Sequence, residues 1–193
     1  MDLETRVIDF WFGPPGSPER GARRDIWFEQ DDAFDVEIRT RFLADVEAAE
    51  RGELDGMADT PRGALALIIL LDQFPRNLYR ESPRAFATDA KALGFAKDAV
   101  ARGFDKELDT FERWFIYLPF EHSEDLADQE RSVDLFRDVA DEEAVKYVAA
   151  HRDVIARFGR FPHRNAILGR ASTPEEIAYL KEPGALFGNN SDD

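Results

Sequence analysis

The run Ala64-Leu-Ala-Leu-Ile-Ile-Leu-Leu71 is apolar at every position, so as a helix it would leave no face for water. It follows Thr60-Pro61, a hydroxyl residue suited to capping a helix and a proline preorganised for the first helical position. The run therefore predicts a helix over 61–73 that is packed on several sides, and it is too short to span a bilayer. Other helices must surround it. Apolar residues recur at three- and four-residue spacing from end to end, and no alternating strand pattern competes with them.

Ser82-Pro83 and Thr173-Pro174 repeat the start signal, the second with Glu176 completing a capping box. The patterning predicts helices over 2–11, 32–50, 61–73, 83–101, 109–118, 123–139, 141–158 and 174–181. Phe34, Ile38, Phe42, Val46 and Ala49 share one face of the second. In Phe111-Glu-Arg-Trp-Phe-Ile-Tyr-Leu118 only Glu112 and Arg113 are charged, so this helix should join 61–73 at the centre. Proline predicts that the helices before Pro75 and Pro162 stop there. The expected fold class is all-α, an irregular array of antiparallel helical hairpins with about eight or nine helices. It forms one domain over 1–188, followed by a disordered tail at 189–193. Residues 13–30, with Pro14, Pro15 and Pro18, form a long irregular connection; Trp11, Trp27 and Trp114 read first as core or loop-packing residues, and Trp27, which follows this connection, is the one of them placed to line a pocket.

An apolar fraction of 44% with sixteen Phe marks a folded chain, so the formal net charge of −15 belongs to its surface. That charge argues against nucleic acid or membrane as partners. The chain has no cysteine, which removes disulfides, thiol catalysis and Cys-ligated zinc. With an acidic N-terminus that lacks a cationic, apolar leader, the expected location is cytoplasmic. No Gly-rich phosphate loop, G-x-S-x-G elbow or nucleotide fingerprint occurs, and no cofactor is assigned.

Basic and titratable residues crowd into HRDVIARFGRFPHRN at 151–165, which holds two of the three histidines. Residues 151–170 contain five arginines and one aspartate, whereas 121–130 contain five carboxylates and neither lysine nor arginine, so the two segments are expected to neutralise one another across a cleft. Helical projection places His151 inward with Tyr147, Val154 and Phe158, and carries Asp125, Gln129 and Ser132 inward with Leu126, Val133 and Phe136. Extending that helix back one turn adds His122.

Three chemistries fit these residues. His151 with Glu121, Glu124 or Asp125 is a candidate acid–base pair. Arg160, His163, Arg164 and Asn165, joined by Arg76, Asn77, Gln129 and Trp27, form a donor-rich group suited to a carboxylate or phosphate, unless the arginines close helix ends by binding carbonyls and internal carboxylates. Glu121, His122, Glu124, His151 and His163 have the right donor types for a metal, yet no paired ligand spacing appears, and no metal is assigned. The functional expectation is a binding or scaffold domain whose polar groove takes a peptide or small anionic ligand. The alternative is a small hydrolase- or lyase-like enzyme using His151 with an acidic partner, with or without a metal.

The succession Phe10-Trp-Phe-Gly13, Trp27-Phe28, Phe34-Asp35 with Ile38-Arg39, Asp72-Gln-Phe-Pro-Arg-Asn77, Leu118-Pro-Phe-Glu-His-Ser-Glu124 and Arg157-Phe-Gly-Arg-Phe-Pro-His-Arg-Asn165 resembles the DUF924 family over most of the chain. The resemblance implies a helical fold similar to tetratricopeptide-repeat-like domains in a largely bacterial family. It carries over no catalytic residue.

Overall fold

Side-chain caps set the helix starts. Asp2, Asp31, Thr60, Asp141 and Thr173 each accept a hydrogen bond from the amide three residues on, satisfying a donor that the first turn leaves open. The Glu176 carboxylate also returns to the Thr173 amide at 2.7 Å, completing the capping box. The computed structural model describes residues 1–185, and the tail expected at 189–193 lies outside the described residues. The described residues form α1 (Leu3–Phe12), α2 (Asp32–Glu50), α3 (Pro61–Ile68), α4 (Phe74–Leu78), α5 (Asp89–Ala101), α6 (Thr110–Glu121), α7 (Leu126–Arg137), α8 (Glu142–Phe158) and α9 (Pro174–Tyr179), with no strand among them. Among the described residues no helix is long and apolar enough to cross a membrane.

The apolar octet is central, as its composition requires: residues 64–71 are all at most 1% exposed. Helices α1, α5 and α6 pack on α3, while α2 covers α4 and the turn that precedes it. The whole predicted face of α2 is buried. Trp11 sits among Trp27, Phe34, Phe74 and Phe115 with ring centroids 5.5–6.3 Å apart, mostly in tilted or edge-on contacts. Farther along the chain, α5, α6, α7 and α8 each pack on the next.

The loop over 13–30 does not present Trp27 to a pocket. Arg20 and Arg24 reach back to the carbonyls of Gly13, Phe10 and Trp11 at the end of α1, and Arg20 also binds Glu112 at 2.7 Å. The loop is thereby folded onto the core, and the Trp27 indole donates to the Trp11 carbonyl at 2.8 Å. Trp27 is a core residue because its one polar atom finds a partner there.

Pro75 does not end its helix. Residues Ile69–Gln73 form a π turn, with the Phe74 amide bonded to the Ile69 carbonyl, and α4 continues beyond it. A proline removes the donor owed to the carbonyl four residues earlier and crowds that carbonyl. The wider turn relieves the crowding, and outside groups satisfy the carbonyls it releases. Thr88 Oγ1 donates to Leu71 O at 2.5 Å, and Arg76 donates to Asp72 O.

Three further boundaries differ from the sequence expectation. Ser82-Pro83 starts only a short 3₁₀ turn over Pro83–Phe86, and α5 begins at Asp89 after Thr88, whose hydroxyl is committed to Leu71 and not to capping. Helix α6 runs through Pro119 to Glu121; its end is held by the amide of His122 and by Gln129 Nε2, which donates to the carbonyls of Glu121 (2.6 Å) and Ser123 (2.7 Å). Asp125 is the exposed cap of α7, accepting from the amides of Ala127 and Asp128, so it points away from the interior and His122 belongs to the end of α6. Gln129 and Ser132 are buried as projected, but Leu126 and Tyr147 are exposed.

Candidate functional site

The helix carrying the apolar octet delivers a carboxylate to the interior at its π turn. Asp72 is 0% exposed, and around it stand Gln73, Arg76 of α4 and His122 at the end of α6. His122 Nδ1 lies 2.8 Å from Asp72 Oδ1, Gln73 Nε2 donates to Asp72 Oδ2, and Arg76 Nη1 stands 3.5 Å from Oδ1. Burial alone would raise the Asp72 carboxyl, but in the acid range where it titrates the charges of His122, protonated there, and of Arg76, with the bonds from His122 and Gln73, outweigh burial and hold it at about 2. Burial, then Arg76, keep the His122 imidazole below its ordinary value against the opposing pull of Asp72. At neutral pH the imidazole is uncharged, its Nδ1–H donates to the carboxylate, and Nε2 carries the lone pair.

Asp89, in the first turn of α5, bridges two arginines. Arg76 grips it with both Nη atoms at 3.1 Å, and Arg164 Nη1 reaches it at 3.3 Å. Arg164, from the 3₁₀ turn Pro162–Arg164, also donates to the His122 carbonyl at 3.2 Å. Its guanidinium lies between the rings of Phe86 and Phe161, 4.7 Å from each centroid. Burial, then the neighbouring Arg76, lower its value to about 10 against the pull of Asp89, Glu124 and Asp72. Its Nε is buried without a hydrogen-bond partner, and Nη2 bonds no described residue.

A cleft of about 340 Å³ opens over this network. Its apolar walls include Phe86, Leu93, Pro119 and Leu168; its polar groups are Asp89, His122, Ser123, Glu124 and Arg164. Both cleft carboxylates are already spoken for. Asp89 serves two arginines, while Glu124 is forked by Arg170 at 2.7 and 3.0 Å and accepts from the Phe161 amide at 2.8 Å. The guanidinium with donors to spare is Arg164.

The residues expected from sequence divide into three groups. His122, Glu124 and Arg164 line the cleft, and Arg76 stands behind it through Asp89. His151 and Glu121 do meet, with Nε2 3.4 Å from Oε1, but both are buried away from the cleft lining. There, burial first and Asp72 second raise the Glu121 carboxyl to about 8, and burial lowers His151 to about 3 against the Tyr147 carbonyl that its Nδ1 contacts at 3.0 Å. His163 is likewise pushed to about 3 by burial and then by Arg164. The remaining residues do structural work elsewhere. Asn77 binds Asp35, Arg160 forks Glu176, Asn165 holds Ser172 and Arg170, Gln129 closes the α6–α7 turn, Asp125 caps α7 and Trp27 fills the core. The five candidate metal ligands are not gathered: no group of three or more His, Asp or Glu among the described residues is arranged to hold a metal ion. The mutual neutralisation of 121–130 and 151–170 comes down to Glu124 with Arg170, because Arg152, Arg157 and Arg160 pair with Asp153, Glu175 and Glu176.

Sequence reasoning missed Asp72 and Asp89. Asp72 did carry a signal: it is a carboxylate that directly follows eight apolar residues in a helix with no exposed face, and such a group must find charged partners inside.

A family model described as bacterial protein of unknown function (DUF924) matches residues 7–184. The chain is similar to a solved structure of a protein of unknown function from Agrobacterium tumefaciens, with 44% identity and a TM-score of 0.84, covering 93% of this chain and 97% of that one. No curated protein matches the chain.

Proposed function

The chain belongs to the DUF924 family, and because that membership carries no activity, we propose from the cleft itself that the protein binds a small organic anion. The observation that supports this reading is Arg164, which is 7% exposed, holds its ring-sandwiched guanidinium at the cleft and keeps donors unspent while both cleft carboxylates are paired. A carboxylate or phosphate in the cleft takes the donors of Arg164 Nη2, which no described residue bonds, and Phe86, Leu93 and Leu168 receive an apolar body. The volume suits a small molecule rather than a folded partner. A cytoplasmic setting without nucleic-acid or membrane partners belongs to the same proposal, on the net charge of −15 and the absence of cysteine.

Thermal-shift scans and calorimetric titration with pyruvate, 2-oxobutyrate, benzoate and inorganic phosphate test it. A ligand at one hundred times its Kd adds about 2.7 kcal/mol, which raises Tm by about 5–11 °C for a chain of this size. Arg164→Lys keeps the charge but loses the planar fork, so affinity falls by about tenfold or more. No shift with any of the four anions, or equal affinity in Arg164→Lys, overturns the reading.

A further inference from the structure

Among the cleft groups, His122 is placed for more than binding. Its Nδ1 is tied to the buried Asp72 carboxylate at 2.8 Å, and a carboxylate only accepts, so the hydrogen sits on Nδ1 and the Nε2 lone pair is bare. Nε2 lies on the ring edge away from Asp72 and bonds no described residue, while the side chain lines the cleft. The same residue is joined to the anion anchor, because Arg164 Nη1 binds its carbonyl at 3.2 Å. Asp72 is held in turn by Gln73 and Arg76, so it cannot swing away from the imidazole.

We infer that the cleft is catalytic: His122 Nε2 moves a proton on the anion held by Arg164, with Asp72 as its positioning carboxylate. This rests on the anion reading above. Acyl transfer through a protein nucleophile is not served here, since Ser123 Oγ, the hydroxyl beside His122, is committed to Asp128 at 3.0 Å and the chain has no cysteine. Proton transfer needs only a base and a counter-charge. The substrate class is a small carboxylate with a carbonyl next to a C–H bond. Nε2 takes the proton, the C–H electron pair moves into the carbonyl to give an enolate, and the imidazolium is stabilised by Asp72 while Arg164 balances the anion. Return of the proton to carbon restores both partners, with no oxidant, reductant or co-reactant.

The test is proton NMR of pyruvate, 2-oxobutyrate and acetoacetate in D₂O with the full chain, reading loss of the C–H signal. Exchange above the protein-free rate is expected, and His122→Asn, which keeps a donor toward Asp72, lowers it by about a hundredfold or more. In Asp72→Asn the acidic limb of the pH–rate profile moves to lower pH, because the charge that supports His122 is gone; a merely structural Asp72 would lower the rate at every pH without moving the limb. Should either variant fail to fold, wild-type protein is treated with diethyl pyrocarbonate and His122 is read by mass spectrometry, with protection by pyruvate expected. Binding of the anions without exchange, or absence of protection, overturns the catalytic inference and leaves the binding reading in place. Binding of none of the anions overturns both.

Discussion

Raising the pH from 6.5 to 8 should destabilise this protein through one buried carboxyl. Glu121 is 3% exposed and faces Asp72 and Arg76 from the π turn and α4, and His151 and Tyr147 from α8. Asp72 takes the negative charge because it has the cationic and hydrogen-bonding partners, and Glu121 keeps its proton up to about 8 against an ordinary value of 4.5. Between pH 6.5 and 8 the folded chain holds this proton and the unfolded chain does not, so folding takes up a proton and each rise in pH disfavours it. Integrating the linkage over that interval gives a loss of about 1–2 kcal/mol from Glu121, or a few degrees in Tm. Below pH 6.5 the sign reverses for the histidines. His151 and His163, at about 3, stay neutral when folded and charge when unfolded, and His122 is lowered in the same direction, so their contribution builds up as pH rises through 6.5 and is lost as pH falls toward 3. Stability should therefore peak near pH 6.5. Urea unfolding followed by circular dichroism at half-unit steps checks this, with Glu121→Gln as the comparison, since an amide at that position still donates toward His151 but cannot ionise. The variant is expected not to fall between 6.5 and 8 and to rise slightly as the unfolded histidines finish losing their protons. A wild-type curve that runs parallel to the variant would refute the assignment of the buried proton to Glu121.

Two further outcomes follow from the packing. Gly63 in α3 lies so close to the 3₁₀ turn Asp55–Asp59 that a Cβ would meet the Met57 carbonyl at 2.0 Å. Gly63→Ala should cost about 1–3 kcal/mol in urea unfolding despite alanine's better helix propensity. Thr88→Val keeps the shape of the side chain but leaves the Leu71 carbonyl without its donor at the π turn, and should cost about 1–3 kcal/mol, with faster amide exchange expected around 69–75.

The clearest difference between expectation and structure is Pro75. Periodicity and proline chemistry are local, and on local grounds the helix ends there. It continues because Thr88, 17 residues beyond Leu71, gives the Leu71 carbonyl the donor that the proline lacks. Glu121 and Glu124 divide for a similar reason. Both were equal candidates as letters, yet one is buried beside Asp72 and stays protonated, whereas Glu124 sits under Arg170 and the Phe161 amide, which lower it. Helical projection placed His151 inward, and Glu121 was one of three carboxylates offered as its partner, but nothing in the sequence told that this pair lies behind the cleft and that His122 lines it.

What the sequence by itself determined is the all-helical class, the capped starts of α2, α3, α8 and α9, the buried face of α2 and the central place of residues 64–71. Each of these depends on interactions within a few residues or on a repeating apolar pattern, and both are written along the chain. Only the tertiary structure decided the π turn, the 50-residue span that brings His122 to Asp72, and which carboxyl ionises. Those depend on the distance and orientation of groups from different helices and on how far each is removed from water, and no periodicity in the sequence specifies them.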